Sequence, residues 1–443
     1  MLFVPFIFFI LLTFYLWRRH QGFDVCVYIS GLYALTSLIC IVVVMCDLTG
    51  DGGVLFHYDI ILSPIATLLY CFFITLGILP FSMLYKKDLT NISATNPIIP
   101  LAVSIFLICV AVLNLYLVAD STLEILSGDL ATVKFEHNSG LKSPAEIKAE
   151  SLPAILKFLY FFKASTLLAI PLFFYYCCFD KKPWWFLALL FFTSLTSPIY
   201  CMQMADRTEV VFYAMMFLSC IIFFHKFLSN KARTFLRYST IPIALVMLIY
   251  LAAVTDARFG NRSDGSAGGV AQYSGQNYLN FCYFWEYGNF KYITTEREFP
   301  LVTYILLHKD NTDDRRGERS SEQGFHMSVF ASYIGDIMLD LSPLGMVIWC
   351  ILFFLITVVI FERPHRTEIT LGEYLMYFYL SAIPIFGIFY YRYMVLHYTL
   401  MLFVALFIYV TDKYKFVISG PLQVMEEEPT EYHQEKEKMS CNE

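Results

Sequence analysis

Long apolar runs separated by short polar connections dominate this sequence. Many of the runs reach about 20 residues, the length that an α-helix needs to cross roughly 30 Å of hydrocarbon. We therefore predict an all-α polytopic integral membrane protein, with a multi-span membrane domain at 1–411 and a polar, acidic cytoplasmic tail at 412–443. The eleven predicted spans lie at about 1–17, 24–46, 60–85, 98–119, 153–178, 183–204, 208–228, 240–256, 343–361, 370–390 and 392–411.

The composition agrees with this fold class, because 58% of the residues are hydrophobic and only 15% are charged. Soluble domains usually carry about 25% charged residues. The twelve cysteines show no CxxC spacing, so we expect neither a zinc site nor a disulfide framework. The basic connections contain no glycine-rich phosphate-binding motif, so we expect no nucleotide cofactor and no nucleic-acid partner.

Lysine and arginine residues occur in alternate connections, and cytoplasmic loops are the ones with an excess of these residues. Short connections with few basic residues are 47–59, the one with Arg207 and the one with Arg392. We therefore predict an external N-terminus, a cytoplasmic C-terminus and outer connections at about 120–152 and 257–342. The larger of these lies between spans 8 and 9. The basic connections carry Arg18 and Arg19, Lys86 and Lys87, Lys181 and Lys182, the 226–237 segment, Arg363 and Arg366, and Lys413 and Lys415.

The large predicted outer loop has two stretches suited to binding or catalysis. "YSGQNYLNFCYFWEYGNF" interleaves aromatic rings with amides, which suits a sugar; Tyr278 and Trp285 are candidate binding residues, and Cys282 should be reachable from outside. The same stretch also fits an amphipathic segment in the headgroup layer. In "ASYIGDIMLDLSPLGMVIW", Asp336 and Asp340 share a helix face, with Tyr333, a further candidate binding residue, one turn earlier. This pair suggests a general base, or simply a solvated helix end.

Three basic residues occupy unusual places. Arg207 and Arg392 are each the only basic residue of a short outer connection, where guanidinium groups could bind phosphate or reach to lipid headgroups. Lys163 lies about ten residues into the fifth span, and because an intramembrane lysine usually faces a cavity, it is a candidate binding residue. Asp206 and Glu209, which flank Arg207, resemble a capping box for the next helix.

The chain resembles the bacterial O-antigen polymerases, which act on oligosaccharide repeat units in lipopolysaccharide and capsule synthesis. The resemblance covers most of the chain in its topology, and locally the stretches "DRTEVVFYAMM", "GQNYLNF" and "ASYIGDIMLDLSPLGMVIW". The chain departs at Ser342 and Pro343, where the family often has a glycine or an aromatic residue.

The resemblance implies glycosyl transfer at the outer face of the bacterial inner membrane, without metal or cofactor. A sugar hydroxyl of one lipid-linked repeat unit attacks the anomeric carbon of a glycan on polyprenyl diphosphate, which leaves. Partners implied besides the bilayer are a chain-length regulator and a flippase. Two alternatives remain open. One is an O-antigen ligase that moves glycan to the lipid A core, for which His308 and His326 are candidate residues. The other is a polysaccharide transporter or flippase.

The resemblance also suggests residue roles. Arg207 and Arg392 would hold the diphosphate, with Arg258 and Arg262 contributing from the large loop. Asp336 or Asp340 would be the base, with His326 behind them.

Overall fold

The computed structural model describes residues 1–48, 62–83, 89–127, 142–260, 265–288, 290, 299, 329–362 and 367–414. Within 89–127, the side chains are described up to residue 119. The described residues are mostly helical. Seven helices are long and apolar enough to cross a membrane, or up to eight if one bent pair counts as a single span. This confirms an all-α multi-pass membrane protein, whereas the count of eleven and the orientation stay predictions.

Each of the eleven predicted spans contains a helix. The length of each apolar run is what predicts these helices. Two further helices, α5 and α11, lie in stretches that were predicted as loops. Three of the helices that coincide with predicted spans, α1, α9 and α13, have only 16 or 17 residues. The helices are α1 Val4–His20, α2 Val25–Met45, α3 Pro64–Ile78, α4 Ile98–Ser127, α5 Pro144–Glu150, α6 Ala154–Phe161, α7 Ala169–Cys178, α8 Trp184–Met202, α9 Thr208–Phe224, α10 Asn230–Phe259, α11 Gly265–Tyr287, α12 Ser332–Phe361, α13 Leu371–Phe386 and α14 Leu396–Lys413.

A short parallel strand pair joins two connections at one end of the bundle, which we call the strand end. β1 (Asn91–Ser93) pairs with β2 (Glu368–Thr370). Asp412, near the end of α14, accepts the N–H groups of Thr95 and Gly372, each at 2.9 Å. The connections before α4 and α13 and the end of α14 therefore share one side. The Lys/Arg pattern predicts that this common side is the cytoplasmic one.

The stretch predicted as a long outer loop contains the helix α11, which packs along α2. A Cβ on Gly275 would lie 2.8 Å from the backbone nitrogen of Cys40, so only glycine permits this approach. Asn277 and Asn280 donate to the carbonyls of Ile388 and Phe330, both at 2.8 Å. These bonds anchor α11 inside the bundle, and the expectation that Cys282 is reachable is wrong, because its side chain is fully buried.

A break divides α12 after Asp336 and Asp340. Ser342 adopts φ 69°, a left-handed conformation that is costly for a residue with a side chain, and Pro343 follows. The first segment, 332–341, is short and buried around both carboxylates, whereas the second, 343–361, is long and apolar. The break therefore allows the turns that carry Asp336 and Asp340 to run in a different direction from the membrane-spanning segment 343–361.

Cysteine labelling tests the orientation of the bundle through α10, whose two ends carry exposed residues. We expect Ala257→Cys to add labelling by a membrane-impermeant maleimide in intact cells, whereas Thr234→Cys adds none. Native Cys282 should not react, because it is buried and burial raises the pKa of its thiol to about 12. Labelling at position 234 but not at 257 would reverse the orientation.

Candidate functional site

A cavity of about 1100 Å³ lies between α9, α10, α11 and the connection that follows α13, away from the strand end. One wall is apolar, with Leu248, Leu251 and Val270 among its residues. Another part of the wall carries aromatic rings and charged groups. A space of this size and mixed lining suits a ligand with a large apolar part and a compact polar part.

Two arginines lie side by side in this cavity. Arg207 precedes α9 and donates from Nη1 to Thr255 Oγ1 at 2.8 Å. Its guanidinium carbon lies 5.1 and 5.7 Å from the ring centroids of Phe259 and Tyr273, and that of Arg258 lies 5.5 and 5.7 Å from the same two rings. Burial, and then the charge of Arg258, lowers the pKa of Arg207. Adjacent guanidinium groups favour a multiply charged anion such as a diphosphate.

Two carboxylates, those of Asp206 and Asp256, belong to the same site. Both residues line the cavity. Asp206 Oδ1 accepts the backbone N–H of Thr208 at 3.0 Å, and Asp256 Oδ1 accepts the hydroxyl of Ser266 at 2.9 Å. These carboxylates are the ones placed to accept a hydrogen bond or a proton from a ligand in the cavity.

Asp336 and Asp340, the base candidates from the sequence, are fully buried and do not line the cavity. Asp336 Oδ2 accepts the backbone N–H of Tyr391 at 2.7 Å. The hydroxyl of Tyr333, another predicted binding residue, donates to the carbonyl of Phe73 at 3.1 Å inside the bundle. Asp336 therefore holds the connection after α13, and Tyr333 fastens α12 to α3.

Arg392 does not join Arg207 in the cavity, which corrects the expected pairing of these two arginines. It forms a buried ion pair with Glu209, and it donates to the hydroxyls of Tyr390 at 2.5 Å and Tyr398 at 2.8 Å. Because a carboxylate already neutralises it, Arg392 is a poor first partner for a diphosphate.

The predicted capping box before α9 is also wrong in its second half. Asp206 does bind the N–H of Thr208, but no side chain caps the first turn in the way a capping box requires. Glu209 is buried and directs its carboxylate to Arg392 and to the hydroxyl of Tyr398. Leaving a buried guanidinium without a counter-charge costs more free energy than a helix cap contributes, so Glu209 pairs with Arg392.

Lys163 lies outside the cavity, at the break between α6 and α7, where the helix bends by 51°. Its ammonium donates to the hydroxyls of Tyr160 and Tyr200 at 3.0 and 2.8 Å and lies 3.5 Å from Glu146 Oε1. These three groups meet the hydrogen-bonding needs of the cation. A binding role for Lys163 has no support from this arrangement.

The predicted sugar-binding aromatics also lie elsewhere. Tyr278 is fully buried, with its hydroxyl 2.7 Å from Thr67 Oγ1, and Trp285 is partly buried against the core. The aromatic side chains that do line the cavity are Tyr273, Phe330, Phe386, Phe389 and Tyr390. Arg262 and His326 lie outside the described residues.

Sequence reasoning missed Asp256, although "TDARF" at the end of a predicted span offered a signal: an acid and an arginine directly after an apolar run. It also missed Phe330 and Tyr390, for which no local signal exists. In the part of the chain that the structure describes, no three histidine, cysteine or acidic residues are grouped as metal ligands would be. No protein-family model, no curated protein and no solved structure matches this chain.

Proposed function

We propose that this protein polymerises polyprenyl-diphosphate-linked oligosaccharide repeat units at the outer face of the bacterial inner membrane. The observation that carries the proposal is the pair Arg207 and Arg258 in a cavity whose lining also includes an apolar wall. A lipid diphosphate needs both a cationic and an apolar surface, because its phosphates bind cations and its hydrocarbon chain is stable only in apolar surroundings.

The apolar wall also supports entry of such a lipid from the bilayer. Leu248 and Val270 line the cavity and are 62% and 44% exposed, so this wall continues onto the outer surface. The neighbouring surface of α10 exposes further large apolar residues, including Leu245, Val246 and Ile249. In a membrane this face would contact lipid, so a prenyl chain could stay in the bilayer while its diphosphate reaches the arginines.

The reaction then needs only groups present in the cavity. The acceptor hydroxyl attacks the anomeric carbon, the bond from that carbon to the diphosphate oxygen breaks, and the hydroxyl proton passes to a carboxylate. Asp206 and Asp256 replace Asp336 and Asp340 as candidates for this carboxylate, because they line the cavity. Arg207 and Arg258 would stabilise the charge that develops on the departing diphosphate, which is usually a large contribution to catalysis.

The glycan ladder of cells that lack this protein tests the proposal. We expect lipid A core that carries a single repeat unit and no longer chains, because polymerisation fails while transfer to the core continues. Loss of the single-unit band together with all longer bands would instead indicate the ligase. An unchanged ladder would contradict both activities.

A further inference from the structure

Beside the arginines, part of the cavity wall carries aromatic rings, hydroxyls and a carboxylate in place of cations. Asp206 and Thr208 flank Arg207 in the sequence, and all three line the cavity. Phe330 and Tyr390 line the same space, with their rings stacked at 5.7 Å and 24°. We call Asp206, Thr208, Phe330 and Tyr390 the Tyr390 wall.

Arg392 orients the hydroxyl of Tyr390 from behind this wall. Arg392 Nη1 lies 2.5 Å from Tyr390 Oη, and a guanidinium can only donate. The tyrosine oxygen therefore accepts, and its own proton points away from Arg392. A phenol keeps its proton near neutral pH, and the side chain of Thr208, which also lines the cavity, hydrogen-bonds the Tyr390 hydroxyl. Tyr390 is thus a neutral hydrogen-bond donor at the cavity.

Tyr398 makes the same contact with a different result. Its oxygen accepts from Arg392 Nη2 at 2.8 Å, while its hydroxyl donates to Glu209 Oε2. Tyr398 does not line the cavity that the described residues form. Arg392 therefore orients two tyrosine hydroxyls, one at the cavity and one at Glu209.

Aromatic rings beside a carboxylate and two hydroxyls are the groups that recognise a sugar, which has an apolar CH face and a rim of hydroxyls. Guanidinium groups match phosphate instead. We propose that the Tyr390 wall is a sugar subsite next to the diphosphate subsite at Arg207 and Arg258. It binds the sugar attached directly to the lipid diphosphate. Tyr390 contacts this sugar, and Arg392 and Glu209 are positioning residues. This inference rests on the proposed function, because it requires a lipid diphosphate at the two arginines.

Binding of two kinds of probe to the purified full-length protein in nanodiscs separates the subsites. One probe is farnesyl diphosphate; the others carry glucose or N-acetylglucosamine on its terminal phosphate. We expect wild-type protein to bind at least one sugar-bearing probe more tightly than farnesyl diphosphate. Tyr390→Phe removes only a hydroxyl, so it should weaken that probe by about threefold to tenfold, the effect of one hydrogen bond, and leave farnesyl diphosphate unchanged.

Tyr398→Phe is the matched control, because it removes the other hydroxyl bound to Arg392 and should leave the ratio of the two affinities unchanged. Equal weakening of both probes by Tyr390→Phe would overturn the sugar subsite, and so would a wild-type protein that gains nothing from either sugar. Wild-type protein that binds none of the probes would contradict the proposed function itself. Thermal unfolding of each variant verifies that it is folded.

Discussion

Arg207→Lys is expected to lower polymerisation by about 10²–10³-fold while the amount of protein in the membrane stays close to wild type. Lysine keeps the positive charge, so it would still satisfy lipid headgroups if Arg207 were only an interfacial anchor. It cannot offer a planar fork to two diphosphate oxygens, and it loses the bond to Thr255 and the contact with the Phe259 ring. Glycan chain length on silver-stained gels, beside an immunoblot for the protein, measures both quantities.

Arg258→Lys should act in the same direction, because Arg258 shares the rings of Phe259 and Tyr273 with Arg207. Arg233→Lys is the matched control. Arg233 is exposed near the opposite end of α10, where it donates to the carbonyl of His225 at 3.0 Å, so its replacement should leave the ladder normal. A normal ladder from Arg207→Lys would identify Arg207 as an interfacial anchor and remove the diphosphate site.

Glu209→Gln is expected to lower the free energy of unfolding by about 3–5 kcal/mol, because it leaves Arg392 buried without its counter-charge. A helix cap alone would contribute only about 1 kcal/mol. A second change tests the mechanism: Glu209→Met combined with Arg392→Met should recover much of the loss, since a well-packed apolar pair removes the uncompensated charge. Unfolding of purified variants in detergent measures the effect.

Glu373→Gln provides the matched control for Glu209. Glu373 belongs to a capping box at the start of α13, where Thr370 and Glu373 satisfy each other's backbone N–H groups. An amide keeps part of this cap, so the expected cost is about 1 kcal/mol or less. Equal costs for the two substitutions would mean that the Arg392 ion pair contributes little.

The spans and the unusual arginines were predictable because each depends on a local feature. A run of about 20 apolar residues is sufficient to predict a membrane helix, and Arg207 is conspicuous because basic residues are disfavoured in short outer connections. The same rule singles out Arg392. Its role could not be predicted from the sequence, because its partner Glu209 lies on α9, far away in the sequence.

The helix α11 was mistaken for part of a loop for a related reason. Its mix of amides, glycines and aromatic residues lacks an apolar run of the length that a membrane span needs. The amides are satisfied by carbonyls of Ile388 and Phe330, which belong to distant segments, and Gly275 matters only because α2 passes next to it. The carboxylates show the same limit. Spacing placed Asp336 and Asp340 on one helix face, whereas only the packing of that face decides whether it meets the cavity or the core.

The most direct test of the proposed activity is reconstitution of the purified protein in liposomes with its polyprenyl-diphosphate-linked repeat unit and no other glycan acceptor. We expect products of two or more repeat units, with one polyprenyl diphosphate released for each new linkage, and about 10²–10³-fold less of both from Arg207→Lys. Glycan transfer that starts only when lipid A core is added, or movement of the lipid-linked unit across the bilayer with no new linkage, would contradict the account.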